Sequence, residues 1–135
     1  MVDIKEIYYD IGNALKGVCE KVYARSRPKA VDERVGSYMV VALPYRIRNG
    51  EMDPEGRYND WATTVQIEVY VRDRVSAKNP NGADVGTMSE KVGEVMRRFP
   101  IATERIVARR PRVTLEGDDG DGFGVAVVQA DVRTR

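Results

Sequence analysis

The chain has 135 residues, with 22 Lys and Arg against 21 Asp and Glu and a net charge of +1. That length fits one domain, residues 1–135, whose core folds without staples, and a near-neutral balance supplies no global field toward nucleic acid or membrane. There is no histidine and a single cysteine, which removes Ser-His-Asp and Cys-His catalysis, the usual zinc ligand sets and any disulfide framework.

What chemistry remains open runs on carboxylates, Lys, Tyr or backbone, so a non-enzymatic role with no cofactor and no metal is the expectation. No apolar run approaches a bilayer span. No signal peptide is visible, and a lone Cys19 fits a reducing cytoplasm. The cations are mostly Arg, which suits interfaces and phosphates or simply reflects a GC-rich genome.

Residues 3 to about 18 predict a helix: Ile4, Ile7, Tyr8, Ile11, Leu15, Val18 and then Val22 recur at three- and four-residue spacing. Asp3 and Glu6 form an acidic variant of the capping box and suit the helix dipole. Gly17 ends the helix or lets it pack closely on the sheet. A short strand follows over Glu20–Ala24, then a charged loop over 25–36. Ser37–Arg48 reads as a strand, at an edge or bulged at Pro44. Asn49-Gly50 is a turn signal, and Met52–Gly56 carries turn residues, so the segment to Asn59 predicts an extended hairpin with a mobile polar tip.

The strongest signal is the run from Trp61 to Asp73. Trp61, Thr63, Val65, Ile67, Val69 and Val71 fall on one face, and Ala62, Thr64, Gln66, Glu68, Tyr70 and Arg72 on the other. One oily and one polar face predict a half-covered, mainly antiparallel sheet with the helices on the oily side. After a loop over 74–82, a second helix is expected from about Ala83 to Phe99, with Asp84 at its start. Val85, Met88, Val92, Val95, Met96 and Phe99 share its core face, and Pro100 stops it. The last third predicts two strands. The first runs through Glu104–Ala108 and Arg112–Glu116, interrupted at Pro111. The second is Phe123–Val132, apolar on both faces and therefore central. The fold class is α+β, a single mainly antiparallel sheet of about five strands with two helices on one face, in the order α-β-β-β-α-β-β.

Candidate sites are few. Arg97, Arg98, Arg105, Arg109, Arg110 and Arg112 make a locally basic region. It suits a phosphate backbone, the acidic tip of a neighbouring subunit, or a strand edge whose charges prevent stray pairing. Asp118, Asp119 and Asp121 lie in a glycine-rich tip whose spacing does not match a calcium loop. Cys19 reads as a buried small hydrophobe. The tyrosines look scattered and match no RNA-stacking signature. Pairs such as Asp32-Glu33 give no sign of converging on a pocket.

The order of elements carries a resemblance. A helix of the type Asp3-Ile4-Lys5-Glu6-Ile7-Tyr8-Tyr9-Asp10 leads into Val22-Tyr23-Ala24. A loop with Pro28 follows, then Ser37-Tyr38-Met39-Val40-Val41, the tryptophan-bearing strand, a late helix and a closing hairpin. This order resembles the small tail-completion or tail-terminator proteins of long-tailed phages and prophages, over nearly the whole chain and without one diagnostic motif. The resemblance implies a structural protein of the virion tail, made in the host cytoplasm. It implies a ring, typically of six subunits, that caps the tail tube and offers a surface to the head–tail connector. It brings no catalytic residues. The arginines would then meet neighbouring subunits or line the DNA passage. Two readings from other classes stay open: a small non-catalytic binding or regulatory module with an open sheet face, and an enzyme built on carboxylates or Lys with a concave pocket.

Overall fold

A computed structural model describes residues 4–31, 34–43, 48–52, 58–73, 85–118 and 122–134. Helix α1 spans Ile4–Ala14, and four strands follow: β1 Lys21–Ala24, β2 Ser37–Ala42, β3 Arg48–Met52 and β4 Tyr58–Arg72. Helix α2 spans Val85–Arg97, and β5 Ile101–Ala102, β6 Ile106–Asp118 and β7 Phe123–Thr134 close the chain. All strands join one sheet in the order β1-β2-β4-β7-β6-β5, with β3 pairing β4 off that path.

The α+β class and the two helices stand, but the sheet is larger than expected and mixed rather than five-stranded and antiparallel. β1 runs parallel to β2, with Val22 opposite Met39. Local patterning is blind to strand direction. The charged loop over 25–36 is the dozen-residue crossover that a parallel pair requires. β2 stops at Ala42, and Asn49-Gly50 sits inside β3 rather than in a turn. The register shifts between Arg48 and Glu51, so the glycine marks a bulge in the ladder. Pro44 and the tip residues Asp53–Gly56 lie outside the described residues, as do Asp3, Asp32, Glu33 and Asp84. β6 passes through Pro111 as one strand, with register shifts between Arg109 and Arg112 and again between Val113 and Leu115. The proline and the bulge share one place, as an edge strand allows. Strand β5 has no counterpart in the sequence reading, since a two-residue strand is too short to show a period.

β4 behaves as its alternation predicts. Thr63, Val65, Ile67, Val69 and Val71 are all buried, while Trp61 keeps its place in the strand and its side chain lies outside the described set. Their face meets Ile7, Ile11, Leu15 and Val18, with Val92 and Met96 of the second helix and Phe99 just after it packed against the same core. β7, between β4 and β6, contributes Val128, Ala130 and Val132 to it and is the central strand its two apolar faces called for.

The first helix ends earlier than its stripe. Leu15 and Val18 reach the core from a turn after Ala14, and Gly17 in that turn has φ 92°. The left-handed conformation is open to glycine and costly for other residues. No neighbour lies within 4 Å of a Cβ built on Gly17, so Gly17→Ala is expected to cost only the conformational term, about 1 kcal/mol. Urea unfolding with an unchanged slope would measure it.

Candidate functional site

The six arginines read as one basic region divide into three groups. Arg98 turns onto the end of α1: Nη1 donates to the Ala14 carbonyl at 3.0 Å and to the Lys16 carbonyl at 3.4 Å. Nη2 pairs with Glu94 at 3.1 Å. Lys91 Nζ donates to the Val18 carbonyl at 2.7 Å. A helix C-terminus leaves carbonyls without intrahelical partners; Arg98, just after α2, supplies a donor to Ala14 at the end of α1, and with Lys91 it also holds the turn that follows. Arg97 is exposed in the last turn of α2.

Arg105 is drawn to the first helix as well. Its Nε donates to Asp10 Oδ2 at 3.1 Å and its Nη2 bonds Asp10 Oδ1. Nη1 lies 3.4 Å from Glu6, and the guanidinium stands over the Tyr9 ring. Thr103 Oγ1 donates to Asp10 Oδ2 at 2.8 Å and accepts from the Ile106 N–H at 3.2 Å. Asp10 is only 7% exposed. The Arg105 guanidinium holds its carboxyl below the ordinary range against the opposing effect of burial, with Thr103 helping. This cluster joins α1 to the β5–β6 turn and leaves Arg105 committed within the fold.

Arg109, Arg110 and Arg112 remain on the surface of β6. Arg112 reaches across to Asp131 Oδ1 at 3.2 Å and donates to the Arg110 carbonyl at 3.1 Å. Arg110 has φ 59°, uncommon for a side-chain-bearing residue, inside the bulge at Pro111. Bulge, proline and charge together are the devices by which an edge is kept from stray pairing. Among the described residues β5 pairs only with Val107 and Ala108, so the outer side of β6 from Arg109 to Asp118 is an unpaired edge. Asp118 is exposed at its end. Asp119 and Asp121 lie outside the described residues.

The other end of the sheet is β1, which among the described residues has no strand partner on the side away from β2. Between it and α1 runs a groove of about 530 Å³ walled by Tyr9, Gly12 and Asn13 on the helix, Lys16 in the turn after it, and Val22 and Ala24 on the strand. Cys19 lies at its base, buried, with its thiol pushed up by that burial. Among the described residues, the two large apolar side chains most open to solvent are Tyr9, at 66%, and Val113, at 41%. One belongs to this groove and the other to the edge of β6.

The face of the sheet away from the helices holds a second core. Tyr38 and Tyr70 stack with ring centroids 4.4 Å apart. Phe123 and Tyr23 meet Tyr38 edge-on at 5.2 and 5.7 Å. Val35 and Val31 from the crossover loop close over the rings, and Arg72 stands 4.5 Å above Phe123. Tyr70 Oη donates to Glu68 at 2.6 Å, and its pKa is raised first by burial and then by that carboxylate. The tyrosines that look scattered in sequence converge here. Tyr38 and Tyr70 are direct cross-strand partners, which no local pattern in the sequence shows. Beyond this cluster the face is polar and half-exposed at Gln66, Gln129 and Asp131.

No helix among the described residues is long and apolar enough to cross a membrane. No protein-family model matches the chain, and no curated protein sequence matches it.

Proposed function

We propose that this protein is a structural subunit of a phage or prophage tail. It assembles as a ring of copies, typically six, that caps the tail tube and presents the surface on which the head–tail connector sits. The observation that carries the reading is the pair of unpaired edges at opposite ends of one sheet, β1 and the outer side of β6. Two different surfaces on one chain make a head-to-tail contact, and a head-to-tail contact closes into a ring when its rotation divides a full turn. The element order supports the same reading, since helix, short strand, long strands, late helix and closing hairpin follow the order of the tail-terminator proteins.

In this reading catalysis has no part. Arg109, Arg110 and Arg112 face a neighbouring subunit or the DNA that passes through the ring, where Arg suits phosphate. Replacing all three by Glu leaves the fold intact, because exposed pairs such as Arg112–Asp131 contribute well under about 1 kcal/mol. The triple variant is expected to abolish plaque formation in a phage dependent on this gene. Wild-type tail length and infectivity in that variant would remove these arginines from the function.

Light scattering on a sizing column across protein concentration, with negative-stain images of each peak, tests the ring itself. A closed ring of several copies is the expected result. A small binding module is the second reading, favoured by the half-exposed polar face around Gln66 and Gln129. It predicts a monomer at every concentration and no tail defect when the gene is lost.

A further inference from the structure

We infer that the head-to-tail joint is a strand addition: the β6 edge of one copy, from Val113 to Asp118, lies antiparallel against β1 of the next and seats Val113 in the groove beneath Tyr9. The inference deepens the ring reading and rests on it only for closure of the ring.

Strand directions come first. β1 is parallel to β2, β2 antiparallel to β4, β4 to β7, and β7 to β6. β6 therefore runs opposite to β1. A second copy set beside β1 in the same orientation as the first brings its β6 there as an antiparallel neighbour, and the sheet continues across the joint with both helix layers on one side.

The faces agree as well. Val22 packs toward the helix-side core. Val113 is the Cα partner of Val128, which belongs to that same core. Both thus point to the helix face, and Val113 of the added strand falls under the outer wall of α1. That wall is hollowed at Gly12, where a Cβ would meet Val22 Cγ1 only at an ordinary 3.8 Å. Burying Tyr9 and Val113 against each other removes from water the two most exposed large apolar side chains among the described residues.

Backbone groups are available on both sides. The Arg25 N–H donates to the Val41 carbonyl at 2.8 Å. By the period of two, Lys21 and Tyr23 also turn their peptide groups to β2, and Val22 turns its own outward. On β6 the first bulge, the left-handed Arg110 and Pro111 block the segment before Val113, so pairing falls on the stretch after it, where a second register shift lies between Val113 and Leu115. Charge at the joint is mixed: Lys16, Glu20 and Lys21 are exposed at the end of the groove that the antiparallel arrangement brings to Glu116. Main-chain bonds with a pocket for alternate side chains are the general means of adding a strand to a free edge.

The test breaks each edge separately. Gly12→Glu fills and polarises the groove and leaves the Tyr9–Arg105 contact in place, and Val113→Asp alters the β6 edge. Circular dichroism and melting temperature should stay close to wild type, because a Cβ at Gly12 makes only an ordinary contact and Val113 is exposed. Light scattering is expected to find wild type assembled and each variant monomeric. An equimolar mixture of the two variants is expected to form dimers and nothing larger, since one intact groove then meets one intact edge. Either variant assembling like wild type overturns the joint and leaves the ring reading standing. A mixture that stays monomeric, or that grows beyond two, overturns it as well. A wild type that is monomeric at every concentration also overturns it, gives the groove to an extended segment of another protein, and leaves the tail phenotype to judge the ring reading.

Discussion

Tyr38→Ala is expected to be the most damaging single substitution outside the main core, at about 3–5 kcal/mol. The side chain is 1% exposed, and its ring is held by Tyr70 on one side and by Phe123 and Tyr23 at its edges. Removing it deletes the transfer energy of the ring, leaves a cavity between strands that cannot close, and takes away stacking that contributes roughly another 1 kcal/mol. A domain of this size has a total stability of about 5–15 kcal/mol, so the variant stays folded with little to spare. Thermal unfolding is expected to fall by roughly 10–20 °C. Tyr38→Phe, which keeps the stack, is expected to lose only about 1 kcal/mol. A Tyr38→Ala protein melting within a few degrees of wild type would mean that the second face carries no core.

That second core also measures what the residues alone could tell. The alternation of β4 announced one face correctly, because Val65, Ile67 and Val69 each state a preference that burial then satisfies. The other face reads as polar from Gln66, Glu68 and Arg72, and for most of its length it is. At Tyr70 it is not, because Tyr38 arrives beside it from a strand more than thirty residues earlier, and no local period contains that meeting. Strand direction failed for the same reason. Lys21–Ala24 reads as a strand whichever way it pairs, and only the length of the following loop hinted at a parallel crossover.

The arginines show the opposite limit. Six cations close in sequence look like one patch, yet Arg98 ends up capping α1, Arg105 binds Asp10, and Arg112 pairs with Asp131 across β6 and β7. Partners for a long side chain are chosen by the fold, so composition locates charge without showing whether it is spent inside or offered outside. The groove beside β1 was invisible for a related reason. Tyr9 stands just beside the apolar stripe of the first helix, and its exposure has meaning only once β1 is known to end the sheet.

Asp10→Asn is expected to cost about 2–3 kcal/mol at neutral pH, and roughly 6–12 °C of melting temperature. The carboxylate is almost wholly buried and accepts from Arg105 and Thr103 at once. The amide keeps the shape but loses the charge, and it turns an N–H₂ toward a guanidinium that also only donates. The upper range for broken buried pairs does not apply, because the Arg105 side chain is 34% exposed and water screens what it loses. The pH dependence separates this from a packing defect. The folded-state pKa of Asp10 lies below the ordinary 3.8, so its ionised form is the one the fold prefers. That preference contributes fully above the unfolded value and is lost as pH falls through about 4 toward the folded value. The gap between wild type and Asp10→Asn should therefore be constant from about pH 5 to 8 and close progressively below pH 4. A gap of equal size at pH 3 and pH 7 would show that shape, not charge, holds the first helix to the β5–β6 turn. Because that turn sets the start of β6, an intact charge pair is also what keeps the β6 edge in a fixed relation to α1, whose outer wall lines the groove at the opposite end of the sheet.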